Sequence, residues 1–158
     1  MASEIGVQTI QHTNGTDAMT IDSSGRVLLP QLPVASFSDT RTLNISNAVL
    51  TSSNFYNHQW VNQGNHLNTT TGEFTCPVDG VYRIFVRFTS TNNTTNVRLQ
   101  KNGSTINEAY SDAVGSTYSV SGEAVVDCTS GDTLRIQVAS LQTAGNKQHH
   151  QVTFMFLG

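Results

Sequence analysis

Apolar and polar positions alternate along most of the chain beyond residue 33. Residues 81–88 show the pattern most clearly, because every second side chain from Tyr82 onward is apolar. Alternation with a period of two residues is typical of a β-strand that buries one face. We therefore predict a strand here that turns Tyr82 towards a core. The opposite face carries Val81, Arg83, Phe85 and Arg87.

Four further segments alternate in the same way: residues 97–99 (resuming near 106), 124–128, 134–138 and 152–156. Asn102-Gly103 and Ser130-Gly131-Asp132 are turn signals between them. No segment keeps a helical period. Short strands at near-regular spacing predict a sandwich or barrel, and the cleanly alternating last strand is expected inside a sheet.

Residues 1–30 have a different pattern. Two short extended pieces flank a Ser24-Gly25 turn, and Asn14-Gly15 is a second turn signal. A hairpin of this size buries too little to be stable alone, so residues 1–33 are predicted to form an anchoring arm and linker before a domain at 34–158. The apolar side chains expected to anchor the arm are Ile10, Met19, Ile21, Val27 and Leu28.

Composition narrows the classes of function. Only 12% of residues are charged, the formal net charge is −3, and the sole lysines are Lys101 and Lys147. Binding to a nucleic acid backbone needs clustered cations, so no nucleic acid partner is expected. No apolar stretch reaches 18 residues, which argues against membrane insertion. The N-terminus lacks the pattern of a signal peptide, so synthesis in a cytoplasm is expected.

No arrangement of residues typical of catalysis is apparent. The chain has no nucleophile elbow, phosphate loop or motif-like carboxylate pair, so we expect neither an enzyme nor a cofactor.

His149 and His150 are adjacent on a predicted strand and point to opposite faces, which argues against a metal site. Cys76 and Cys128 are interpreted as buried thiols in a reducing compartment, with a disulfide as the alternative.

Trp60 lies between His58 and His66 in a polar segment. It is either the aromatic anchor of a half-buried strand or a platform on which a sugar stacks. Together with Tyr56 and Tyr118 it forms the set of candidate ligand-stacking residues.

One motif resembles a known family. It reads Gly72-Glu-Phe74-Thr-Cys76-Pro77-Val-Asp-Gly80-Val81-Tyr82. This segment resembles the globular head of complement component one-q, within the complement and tumour-necrosis-factor superfamily. The same landmarks continue at residues 35–38, 99–103, 131–132 and 154–157, so that the resemblance covers about residues 34–158. Met155 and the absence of a collagen-like repeat depart from the family pattern.

The resemblance implies an all-β, ten-stranded jelly-roll sandwich that assembles as a homotrimer and serves binding or assembly without catalysis. Arg83, Phe85 and Arg87 are the candidate interface residues. Their face is either solvated or packed against a neighbouring subunit, where arginine pairs with carboxylates or backbone oxygens.

Residues 10–27 are similar to segments of tailed-phage virion proteins. The leading hypothesis is therefore a phage virion protein, made in the host cytoplasm. It would be a trimeric capsid decoration (cement) protein whose arm docks on the major capsid protein or other virion proteins. One alternative is a tail-fibre tip that binds a host surface glycan or receptor, and another is a cell-surface adhesion module.

Overall fold

A computed structural model of the chain describes residues 8–11, 17–21, 23–25, 27–28, 32–90, 95–111, 118–142 and 150–158. The chain divides into two compact units, Met1–Leu32 and Pro33–Gly158. All regular elements in the described ranges are β-strands. None of these residues forms a helix long and apolar enough to cross a membrane.

The first unit contains a three-stranded antiparallel sheet. Its strands are β1 (Thr9–Gln11), β2 (Asp17–Ile21) and β3 (Val27–Leu28), with β2 in the middle. Ile21 pairs with Val27 across the β2–β3 hairpin. The hairpin predicted around the Ser-Gly turn is therefore confirmed, whereas Asn14-Gly15 lies outside the described residues.

The second unit is built from longer strands. In chain order they are β4 (Val34–Asp39), β5 (Asn44–Val49), β6 (His58–Gln63), β7 (Leu67–Asn68), β8 (Glu73–Thr75), β9 (Gly80–Ser90), β10 (Thr95–Lys101), β11 (Ser104–Ser111), β12 (Tyr118–Cys128), β13 (Thr133–Gln142) and β14 (His150–Phe156). The described part of this unit thus has eleven strands, against the ten that the resemblance implies. The turn between β7 and β8 separates two very short strands.

These strands form two sheets packed as a sandwich. One has the order β11-β10-β13-β8-β7, and β5 shares the edge of β13 with β8. The other has the order β12-β9-β14-β4-β6. Successive strands pass repeatedly from one sheet to the other, which is the connectivity of a jelly roll. The predicted all-β jelly-roll fold is confirmed.

The core lies between the two sheets and follows the predicted alternation. Tyr82, Ile84 and Phe88 of β9 are fully buried, while their neighbours in sequence point outward. Phe154 of β14 is equally buried, and its ring stacks on Phe74 with 5.2 Å between ring centroids. Because β14 pairs with both β9 and β4, the prediction that the last strand lies inside a sheet is confirmed.

The motif at residues 72–82 has a packing explanation. A Cβ atom added to Gly72 would collide with the backbone oxygen of Leu50, and one added to Gly80 would lie 2.6 Å from the backbone oxygen of Gly158. Both glycines have positive φ angles, a region that other residues rarely adopt. The motif therefore keeps two close backbone approaches free of side chains.

Candidate functional site

The outer surface of the five-stranded sheet brings together the candidate interface residues. Successive side chains of a strand point to opposite faces, so Arg83, Phe85 and Arg87 of β9 point away from the core. Arg83 and Phe85 are partly buried by their neighbours, whereas Arg87 is exposed. We call the outward side chains of β12, β9, β14, β4 and β6 the outer face.

The strand register aligns the outer face in rows that cross all five strands. One row is Val125, Arg83, Met155, Val34 and Gln63. The next is Glu123, Phe85, Thr153, Ser36 and Val61. Half of these side chains are apolar, and we call the two rows the apolar rows. Apolar side chains gathered on an outward surface mark an interaction site.

The two charged residues of the apolar rows neutralise each other. Arg83 donates from Nε to Glu123 Oε1 at 2.9 Å and from Nη2 to Oε2 at 2.7 Å, and its guanidinium carbon lies 5.6 Å from the centre of the Phe85 ring. The hydrogen bond to Glu123 raises the pKa of Arg83. A paired charge is less costly to bury than an isolated one, so this surface is suited to a dry contact.

A third row is polar. It consists of Ser121, Arg87, Gln151 and Ser38, and we call it the polar row. Trp60 lies at its end, where a β-bulge interrupts the pairing of β4 with β6. The indole Nε1 donates to Ser38 Oγ at 3.0 Å, and the ring makes a T-shaped contact with His58 at 4.7 Å between centroids. Trp60 is nevertheless 68% exposed.

The outward surface of the six-stranded sheet has a different character. Arg98 donates to Glu108 at 2.8 Å, and Arg135 pairs with Glu73 at 3.4 Å. Amide side chains lie beside these ion pairs. Among them, Gln100 Nε2 donates to Gln137 Oε1 at 2.9 Å. Ion pairs and amides characterise this surface, with Ile106 as an exposed apolar residue, whereas the outer face of the other sheet carries the apolar rows.

Tyr56 is not a ligand-stacking residue. Its ring is 5% exposed and packs edge-on against Phe37 and Phe55, with 5.3 Å between centroids in each case. Burial raises the pKa of its hydroxyl. The prediction was wrong for Tyr56 because a residue in an irregular loop gives no alternation from which burial is inferred. The side chain of Tyr118 lies outside the described part of the chain.

The histidines near Trp60 in sequence separate in the fold. His58 contacts the indole, whereas His66 packs against Phe74 with 6.1 Å between ring centroids. Partial burial lowers the pKa of His66. Trp60 is exposed, as a stacking platform requires, and its role in binding stays a prediction.

The candidate anchoring residues lie on the small sheet of the first unit. Ile10 is exposed and pairs across strands with Met19, while Met19 and Ile21 are half-buried. The backbones of Val27 and Leu28 form β3, but their side chains are outside the described part of the chain.

The other candidate histidine and cysteine side chains that the structure describes in the second unit are buried. His150 is fully buried, and its Nδ1 accepts a hydrogen bond from the Thr89 amide at 3.2 Å; His149 is outside the described residues. Cys76 and Cys128 are buried free thiols, and burial raises the pKa of both. Among the described residues, no three His, Cys, Asp or Glu side chains could share a metal ion.

Sequence reasoning missed most apolar members of the outer face. Val34, Val61, Val125 and Met155 were not among the candidates. Val125 and Met155 lie on the two strands beside Phe85, and Val34 and Val61 continue the apolar rows across β4 and β6. The available signal was apolar residues at outward positions of alternating strands, where polar side chains are expected. Val125, between the inward Ala124 and Val126, is the clearest example.

Comparison with known proteins agrees with this architecture. The family model described as "C1q domain" matches residues 36–158, while no curated protein sequence matches the chain. The globular domain of zebrafish complement 1qA protein is 20% identical with a TM-score of 0.58, covering 77% of this chain and 92% of that one. Eiger TNF from S. frugiperda is 15% identical with a TM-score of 0.57, covering 81% and 94%.

Murine APRIL is also similar in structure, with 10% identity, a TM-score of 0.59, and coverage of 80% of this chain and 99% of that one. Similarity at these identities concerns the fold alone. The family model itself spans well over half of the sequence, including the motif at residues 72–82. The chain therefore belongs to the C1q domain family.

Proposed function

We propose that this protein is a homotrimeric, non-catalytic structural module whose subunits meet through the apolar rows of the outer face. The observation that carries the proposal is the contrast between the two sheets. Phe85, Met155 and Val61 point outward from one sheet, whereas the other carries ion pairs and amides beside the exposed Ile106. Burial of apolar area is the main favourable term in association.

The charge arrangement supports the same surface. Interface centres are depleted in unpaired charges and enriched in aromatic residues and arginine. Arg83 satisfies both conditions, since it pairs with Glu123 and covers Phe85 within its own subunit. A subunit therefore presents this surface without an uncompensated charge among the apolar rows. The number three comes from the resemblance to the complement one-q head.

We further propose that the trimer is part of a virion and decorates the capsid as a cement protein. This step is supported by the resemblance of residues 10–27 to virion segments and by the division of the chain into two units. The small sheet of the first unit offers short strand edges, and strand addition to a neighbouring edge gives affinity through main-chain hydrogen bonds. The partner is then the major capsid protein or another virion protein.

The exposed indole of Trp60 favours a second candidate function, a receptor-binding tip of a tail fibre. Cryo-electron microscopy of the particle distinguishes the two locations. Density for the protein on the capsid surface supports the cement protein, and density confined to the tail supports the fibre tip.

Assembly is tested by light scattering on the intact chain. The expected mass is about three times the chain mass of 17.1 kDa. Phe85→Glu places a charge among the apolar rows and is expected to give monomers. Ile106→Glu is the matched control, because Ile106 is an exposed apolar residue of β11 in the other sheet. A monomeric wild-type protein, or a Phe85→Glu variant that stays trimeric, contradicts the proposal.

A further inference from the structure

Arg87 differs from the other arginines that the structure describes. Arg41 pairs with Asp39, Arg83 with Glu123, Arg98 with Glu108 and Arg135 with Glu73. Within the described ranges, no carboxylate lies in ion-pair distance of Arg87, and its side chain is exposed. A guanidinium presents a planar set of donors that matches a carboxylate in a bidentate arrangement. Arg87 is therefore available to an anion from outside the chain.

Trp60 is a prepared aromatic platform. Its exposed ring is oriented by the hydrogen bond to Ser38 and by the contact with His58. An aromatic ring has a negative face, which attracts the polarised C–H groups on one side of a pyranose. Because the indole is already held by two neighbours, ordering it on binding costs little conformational entropy.

The strand register links these two residues. Ser38, Gln151 and Arg87 are lateral neighbours on β4, β14 and β9, so the Cα atoms of Ser38 and Arg87 are about 10 Å apart at about 4.8 Å per strand. Between them Gln151 offers an amide, whose Nε2 contacts Ser36 Oγ at 3.3 Å. The polar row thus joins an aromatic platform to a guanidinium through hydrogen-bonding groups.

We propose that the polar row binds an acidic oligosaccharide, with one sugar ring stacked on Trp60 and the carboxylate of a neighbouring sugar held by Arg87. Trp60 lies on β6, one strand beyond Ser38, so its Cα atom is about three strand spacings, or about 14 Å, from that of Arg87. A single sugar ring does not cover this separation, so the ligand has at least two sugars. The carboxylate belongs to a sialic acid or to a hexuronic acid. This site goes beyond the proposed structural role, and it reassigns Arg87 from the subunit interface to a ligand.

The test is a glycan array probed with the intact protein, carrying sialylated, hexuronate-containing and neutral oligosaccharides. Binding is expected to one acidic class and not to its neutral counterpart. Arg87→Gln is expected to weaken it by about tenfold or more, since a charge-assisted hydrogen bond is worth about that factor. Trp60→Ala is also expected to weaken it, because the substitution removes the ring on which the sugar stacks. Arg98→Gln, on the opposite sheet, is the matched control and is expected to bind normally. Selective binding to sialylated or to hexuronate-containing probes identifies the source of the carboxylate.

Three results overturn the proposal: no acidic probe is bound, binding survives both substitutions, or Trp60→Ala dissociates the oligomer. The last result would make the indole a subunit contact. Light scattering on each variant provides this readout separately from the array. Failure of the glycan site and failure of trimer assembly are therefore distinguishable.

Discussion

Asp132 ties together two turns at one end of the sandwich. Its Oδ1 accepts from Asn102 Nδ2 at 2.7 Å, and its Oδ2 accepts from the Thr129 amide at 2.8 Å and pairs with Lys101 Nζ at 2.9 Å. Lys101 ends β10 and Asn102 begins the β10–β11 turn, whereas Thr129 belongs to the β12–β13 turn. The Gly131-Asp132 turn signal in the sequence is therefore explained by the role of Asp132 in linking the two turns.

These hydrogen bonds, chiefly that from Asn102, hold the pKa of Asp132 well below its ordinary value. A lowered pKa in the folded state gives stability that is complete above the ordinary pKa of about 3.9 and is lost as the pH falls further. We expect Asp132→Asn to lower the melting temperature at neutral pH, with the difference from wild type shrinking below about pH 4.

Thermal unfolding followed by circular dichroism across this pH range measures the effect. Asp127→Asn is the control, because Asp127 is exposed and its carboxylate has no hydrogen bond in the described part of the chain. An equal loss of stability in the two variants at neutral pH contradicts the role given to Asp132.

At the scale of elements, adjacent residues of β14 have separate roles, one in the fold and the other in the proposed assembly. Phe154 points into the core, fully buried against Phe74, whereas Met155 points outward in the apolar rows. Phe154→Ala is expected to cost about 3–5 kcal/mol of unfolding free energy, because it leaves a cavity in the core. Met155→Ala is expected to keep the fold and to weaken association.

Urea unfolding measures the first effect, and light scattering over a dilution series measures the second. The variants are controls for each other, since they alter adjacent residues of one strand. If Met155→Ala destabilises the monomer as strongly as Phe154→Ala, the assignment of the two faces is wrong.

The alternation of apolar and polar residues predicts the long central strands, but it does not predict strands at the sheet edges. β9 and β13 alternate over seven or more residues and β14 over six, so their buried faces could be derived directly from the sequence. β6 follows no such pattern, because it is an edge strand with a bulge and three exposed residues at its start. The exposure of Trp60 therefore could not be derived from its neighbours.

Prediction of the candidate site requires the order of the strands as well as the face to which each side chain points. Arg87, Gln151 and Ser38 are far apart in sequence, and only the pairing of β9, β14 and β4 makes them neighbours. The Asp39–Arg41 ion pair is a similar case. The Asp39 carboxylate is fully buried, and the exposed Arg41 donates to it from Nε at 2.9 Å. Nothing in the sequence around these two residues indicates a buried carboxylate.

At the scale of the whole molecule, the two units have separate proposed tasks. The hydrophobic core of the second unit consists of residues between Ala35 and Phe154. The first unit has short strands and partly exposed apolar side chains such as Ile10. A unit with so little buried surface gains stability by binding a partner, which is the property that an anchor needs.

Deleting residues 1–32 tests this division of tasks. The cut keeps Pro33, whose backbone oxygen accepts a hydrogen bond from the Phe156 amide at 3.0 Å and so completes the end of β14. We expect the truncated protein to retain the melting temperature and the oligomeric state of the full chain, because the core and the apolar rows remain. We expect it to lose binding to virus particles that lack the protein.

Cosedimentation with such particles measures occupancy, and Ile10→Asp in the intact chain separates a loss of apolar anchoring from a loss of chain length. Full occupancy by the truncated protein would place the anchor in the jelly roll itself, and the outer face would then have to serve both assembly and attachment.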